Sequence, residues 1–158
     1  MSLSSHPIKP EAQLDFVVAG KAIFTIKNKK TQGRFTYKVS TPADKQREGS
    51  TIRWVSVLSG EDNSSSYTYI GCLFLNQGFW SFRHGAKSRI SAQAPSVVAF
   101  QYVFNNVISV KRSHPDLEVW HEGKCSRCGR KLTVPESIET GMGPECASIK
   151  ANYRQYLA

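Results

Sequence analysis

The segment from His121 to Cys146, HEGKCSRCGRKLTVPESIETGMGPEC, constrains this chain more than any other. Cys125 and Cys128 have the spacing of a metal-binding knuckle, in which both sulfurs face one ion, and Gly129 directly after them relieves the tight turn. Cys146 comes after Gly141, Gly143 and Pro144, where a loop should become the first turn of a helix. The unpaired N–H groups and positive dipole end of such a turn favour a thiolate ligand. His121 is the nearest neutral nitrogen able to complete a tetrahedron. The spacing therefore predicts a structural Zn2+ held by His121, Cys125, Cys128 and Cys146, in a closed, non-catalytic site. His114, Glu122 and Glu145 are the other candidates for the fourth ligand. A C-x-x-C pair can also be a redox dithiol, but that needs a helix running straight out of the motif, whereas Gly129, Pro135 and two further glycines follow here. Simple buried thiols are the remaining reading.

With 158 residues, 40% of them hydrophobic, the chain can bury a core as one medium domain or a domain with a satellite. Its formal charge is +9, which favours a polyanionic partner. The excess is uneven. Residues 1–60 hold ten Lys and Arg against four Asp and Glu, a net of +6; residues 61–110 hold three against two, and residues 111–158 eight against six. Four cysteines, three of them in metal spacing, argue for a reducing compartment rather than a secreted disulfide framework. No apolar run approaches the roughly 20 residues that span a bilayer, and the start lacks a signal-peptide core. A cytoplasmic protein is expected, in the host cell if phage encoded.

Residues 1–15 contain two prolines and read as a flexible arm. From Ala22 to Ser40, Phe24 and Ile26 alternate with Thr25 and Lys27, and Phe35, Tyr37 and Val39 alternate with Arg34, Thr36 and Lys38. That period of two predicts a hairpin of half-buried strands. Its open face and tip carry Lys27, Lys29, Lys30, Arg34 and Lys38 with no acid among them, which suits either phosphates or a lysine-protected sheet edge. Thr51–Leu58 and Tyr67–Leu75 predict a second hairpin, and Phe79–Arg83 a short fifth strand. Cys72, with no spaced partner, reads as a core thiol.

Arg83, Lys87 and Arg89 cluster in the following loop and could add phosphate contacts. So many aromatics on one sheet also suggest base stacking, with Tyr67 and Trp80 the side chains to test. Ala94–Ser109 opens with Pro95 and repeats Val97, Phe100, Val103, Phe104 and Val107 at helical spacing, an amphipathic helix that should cover the sheet. A packing stripe of Ile149 and Tyr153 predicts a last helix beyond Cys146.

The run CSRCGRKLTVPESIETGMGPECA resembles a small uncharacterised zinc-finger domain of phage and bacterial proteins, sometimes attached to helicase-like or other DNA-metabolism enzymes. The resemblance implies cysteine ligands at Cys125, Cys128 and Cys146, with His121 matching an upstream histidine, and a treble-clef or ribbon-like zinc fold. It supplies no activity, and no catalytic constellation is legible elsewhere. The expectation is therefore an α+β chain: residues 16–115 form a mostly antiparallel sheet of about five strands packed on one helix, and residues 116–158 a zinc finger with a C-terminal helix. The function expected is that of a non-catalytic nucleic-acid-binding accessory protein, favouring single-stranded DNA or RNA. The alternative is an inhibitor or adaptor that binds a host nucleic-acid or defence enzyme.

Overall fold

The computed structural model describes residues 6–41, 51–59, 66–132, 138 and 141–142. In chain order the elements are β1 (His6–Pro7), α1 (Pro10–Val17), β2 (Lys21–Asn28), β3 (Arg34–Ser40), β4 (Ile52–Leu58), β5 (Tyr67–Asn76), β6 (Phe79–His84), α2 (Pro95–Val103) and β7 (Leu117–His121). A π-helical turn, Phe104–Ile108, continues α2. The strands form a single antiparallel sheet in the order β1-β7-β2-β3-β4-β5-β6.

Five strands on one helix is thus too few of each: the described residues make seven strands, with α1 packed against β2 and the π-helical turn that follows α2. The two extra strands lie where local signals are weakest. β1 is two residues long, and β7 is a five-residue stretch, LEVWH, at the start of the segment assigned to the zinc finger. What makes β7 a strand is its partner, since Phe24 faces His121 and Asn28 faces Leu117 across almost a hundred residues of chain. Long-range pairing of this kind leaves little trace in a short window. The first helix, in the segment expected to be a loose arm, begins on Pro10 at its first position and buries Phe16 and Val17.

The β2–β3 hairpin follows the predicted alternation, with Phe24 opposite Tyr37 and Lys27 opposite Arg34. Its tip is closed by the Asn28 side-chain oxygen, which accepts the N–H groups of Lys30 and Thr31. Between β4 and β5 the register shifts: Val55 faces Gly71, Ser56 faces Tyr69, and Ile70 is the extra residue of a bulge. Gly71 is required there, because a Cβ would collide with the Arg83 carbonyl and the Phe82 ring.

Both helices lie on the sheet face formed by Phe24, Tyr37, Val39, Val55 and Leu73, and Phe100 of α2 is the hub of that core. Its ring centroid lies 4.8 Å from Tyr37, 4.9 Å from Phe82 and 5.7 Å from Phe104. Tyr37 is fully buried and donates its hydroxyl to the Ser96 carbonyl at 2.7 Å, tying β3 to the start of α2. Burial without a charged partner pushes this phenol well above its ordinary range. Phe100→Ala should cost about 3–5 kcal/mol in a urea titration, the range for deleting a large ring from a packed core.

Candidate nucleic-acid interface and metal knuckle

With α1 and α2 on one face, strand alternation decides what the other face presents. From β2 it displays Lys21, Ile23, Thr25 and Lys27, and from β3 Arg34, Thr36, Lys38 and Ser40. Registered against these are Trp54 and Ser56 of β4, then Tyr69, Cys72 and Phe74 of β5, then Arg83 of β6. This helix-free face is therefore both aromatic and cationic. Trp54 is 41% exposed and meets Tyr69 edge-on at 5.8 Å. The Lys38 ammonium lies 5.8 Å from the Tyr67 ring centre, and the Arg83 guanidinium 5.2 Å from that of Phe74.

The two proposed stacking residues separate. Tyr67 belongs to the helix-free face, but its hydroxyl is buried without a hydrogen-bond partner among the described residues, and burial with the nearby Glu122 charge pushes its pKa up to about 12. Trp80 lies on the opposite face, beside the core and under the Arg53 guanidinium at 5.2 Å. Trp54 could not be singled out from the other rings by sequence, because its parity becomes readable only once its pairing with Ser40 and Cys72 is known. Cys72 is half-buried on this same face rather than in the core, and burial raises its thiol pKa, opposed by Arg83.

The predicted cations fall into groups. Lys29, Lys30 and Arg34 are exposed around the hairpin tip, while Lys27 is half-buried. Neither strand of that hairpin is a sheet edge, so shielding an edge does not account for these lysines. An acid absent from the hairpin's own sequence reaches it through β7, where Glu118 faces Lys27, and the backbone just before β7 is tied to the tip by the Lys29 N–H donating to the Asp116 main-chain carbonyl. Arg83 is exposed on β6, and Lys87 and Arg89 are exposed on the loop behind it. That loop is fastened over Tyr69, since the Ser88 hydroxyl donates to the Tyr69 carbonyl at 2.7 Å and a Cβ on Gly85 would strike the Tyr69 ring. At the far end of β2 from the hairpin tip, a groove of about 700 Å3 is lined by Lys21, Ile23, Lys38, Trp54, Glu122 and Lys124.

The wall of that groove is the knuckle. The Gly129 N–H donates to the Cys125 carbonyl and the Cys125 N–H to the Arg130 carbonyl, both at 2.8 Å, and Lys124 bridges to Lys131. Gly129 takes φ +81°, the left-handed turn that its position after Cys128 requires. The Arg127 N–H points at the Cys125 sulfur at 3.4 Å, an amide-to-sulfur contact. Cys125, Leu132 and Met142 form a small core of their own, with Cys128, Ala19 and Ile138 against it. Ser126 joins this unit to the sheet, its N–H donating to the Gly141 carbonyl and its carbonyl accepting the Lys21 N–H at 2.6 Å.

His121 is placed differently from the expected ligand. It is fully buried; Nδ1 accepts the Gly123 N–H at 2.9 Å and Nε2 donates to the Ile138 carbonyl. Burial lowers its pKa, opposed by that hydrogen bond and reinforced by His6, whose ring lies 5.2 Å away. Among the described residues no three His, Cys, Asp or Glu side chains are gathered as a metal cluster, so His121 is not brought together with Cys125 and Cys128. Cys146, Glu145 and the last helix expected beyond them lie outside the described residues.

Residues 116–149 match a family of unknown function, DUF6011. The match takes in the knuckle, Cys146 and β7 but only about a fifth of the 158 residues. No curated protein and no solved structure matches the chain. The C-terminal region therefore carries an uncharacterised domain, as its resemblance implied. No helix among the described residues is long and apolar enough to cross a membrane.

His121→Ala should lower stability by about 1–3 kcal/mol, because it strips partners from a backbone N–H and a carbonyl at a buried position. Chemical denaturation measures the loss, and a change below about half a kcal/mol would mean that the ring is not a structural tie.

Proposed function

We propose that this chain is a non-catalytic accessory protein that binds single-stranded nucleic acid on the helix-free face of its sheet. The observation that supports this most directly is the sharing of one face by Trp54, Tyr69 and Phe74 with Lys21, Lys38 and Arg83. Unpaired bases stack on aromatic rings whatever their sequence, and adjacent ammonium and guanidinium groups hold the phosphates between them. A duplex keeps its bases stacked on each other and offers nothing to Trp54. The exposed Lys29, Lys30 and Arg34 at one end of β2 and β3, with Lys87 and Arg89 behind β6, extend the positive field along the path of a strand. A net charge of +9 agrees with a polyanionic partner.

The knuckle fits half of a structural zinc site, with Cys125 and Cys128 on one turn and an amide already aimed at a sulfur. We propose that Cys146 supplies a further thiolate and that the ion clamps the C-terminal domain to the start of β2. The fourth ligand is then a group other than the buried His121. Metal of this kind adds folding free energy rather than chemistry. A reducing, cytoplasmic setting suits thiolates kept for a metal.

The runner-up, a protein-binding adaptor or inhibitor, draws on the outer surface of α2, where Val98 and Tyr102 are each 52% exposed one helical turn apart. Partners retained by Val98→Asp/Tyr102→Asp protein in a nuclease-treated pull-down would argue against that surface.

Fluorescence anisotropy with a labelled single-stranded oligonucleotide tests the leading reading. Affinity should fall steeply with salt, and Trp54→Ala should weaken it by about 1–3 kcal/mol, the scale of one lost stacking contact. Binding that is indifferent to both salt and Trp54 would reject it. Native mass spectrometry should find a zinc ion that Cys125→Ser and Cys128→Ser each lose, together with a drop in thermal stability; metal-free protein of unchanged stability would reject the clamp.

A further inference from the structure

The groove between knuckle and sheet contains a residue that phosphate binding does not explain. Lys21, Lys38 and Lys124 suit an anion, but Glu122 projects among them and would repel one. Its side chain is only 16% exposed, so it is held in place rather than swept through solvent. Among the described residues its carboxylate has one ionic partner, Lys124 at a long 3.9 Å, and accepts no hydrogen bond from a buried donor. A carboxylate so withdrawn from water ordinarily collects several donors. Beside it the Tyr67 hydroxyl is buried and, among the described residues, unpartnered, and Tyr67 feels the Glu122 charge. Trp54, the most exposed ring of the helix-free face within the groove, forms another wall. The volume of about 700 Å3 falls within the range of small-ligand sites, roughly 300–1,000 Å3.

We propose that this groove holds one nucleotide of the bound strand and selects guanine, with the base stacked on Trp54, its edge turned to Glu122, and its phosphates held by Lys21, Lys38 and Lys124. The selectivity follows from donor geometry. An ionised carboxylate is an acceptor only, with two oxygens side by side. Guanine alone among the bases presents two adjacent donors on its Watson–Crick edge, the ring N1–H and the exocyclic amine, and so can engage both oxygens at once. Adenine and cytosine offer one amine each beside a ring acceptor that repels the carboxylate. Thymine and uracil offer one N–H between two carbonyls. The inference rests on the proposed single-strand binding and adds base choice at one position to it. The ammonium groups supply affinity and Glu122 supplies discrimination, the usual division between phosphate and base contacts.

The test uses the full chain and three oligothymidine probes that differ at one central position, which carries thymine, guanine or inosine; a lone guanine cannot form quadruplexes. The guanine probe should bind about 5- to 150-fold more tightly than the all-thymine probe, the span of one good bidentate base contact. Inosine, which keeps N1–H but lacks the amine, should fall between. Glu122→Gln should abolish the difference while binding the all-thymine probe at least as well, because it removes a negative charge. Lys38→Ala should weaken all three probes by the same factor and leave their ratio intact. Equal affinity of the guanine and all-thymine probes for the unaltered protein, or a preference that survives Glu122→Gln, would overturn the guanine subsite while leaving single-strand binding in place. Failure of all three probes to bind at low salt would overturn both.

Discussion

The ring of Phe16 is the contact on which the arrangement of this molecule depends. It leaves the last turn of α1 and meets Phe24 of β2 edge-on at 6.1 Å, and His121 of β7 at 5.5 Å. On its third side is Gly141, where no Cβ can be accommodated against the ring and φ is +76°. One side chain thus bridges the first helix, the central strands and the segment that follows the knuckle. A residue with a side chain at position 141 would have to displace the ring or its own backbone, and interiors packed to crystal density give little room for either. This is why α1 is a fixed part of the fold despite its eight residues and a start without a side-chain cap.

That wedge sets the geometry of the helix-free face. Because β7 is inserted between β1 and β2, the domain that begins at residue 116 enters the sheet before it forms its knuckle, and the knuckle is delivered to the end of β2. Backbone hydrogen bonds through Ser126, to Lys21 on one side and Gly141 on the other, hold it there. The sheet then contributes Lys21, Lys38 and Trp54 to the groove, and the knuckle side contributes Glu122 and Lys124. Neither part has the groove alone. Covering one face with α1 and α2 consigns the apolar parity to the core and leaves the other parity, with its rings and cations, facing outward.

The outer strand β6 is protected by its own helix. In the π-helical turn after α2, the Asn105 side-chain oxygen accepts the Phe82 N–H at 2.9 Å. An outward-facing amide of an edge strand is thereby satisfied within the molecule, which limits pairing with other chains. The π-turn is the device that brings Asn105 to this point, a use of an irregular turn that helical periodicity does not reveal.

Local chemistry determined much of this protein from its sequence alone. The β2–β3 hairpin, the strands at Ile52–Leu58 and Tyr67–Asn76, the helix opening on Pro95 and the tight turn around Cys125 to Gly129 are all set by residues within a few positions of one another. Alternation of two, helical spacing, proline at a first turn and glycine after a cysteine pair are short-range rules, and a chain read in short windows displays them. Tertiary structure decided the rest. It made LEVWH a strand by placing it beside β2, and it ordered the first helix through Phe16. Its bulge at Ile70 reset the parity of β5, so that Tyr69 shares the open face with Trp54 and Cys72 while Trp80, opposite Leu75, lies on the covered one. It also gave the buried His121 two backbone partners, Gly123 and Ile138, that lie outside its own strand. Each of those outcomes depends on groups far apart in the chain, and their preference for one another exists only after the backbone has brought them within hydrogen-bonding or van der Waals reach.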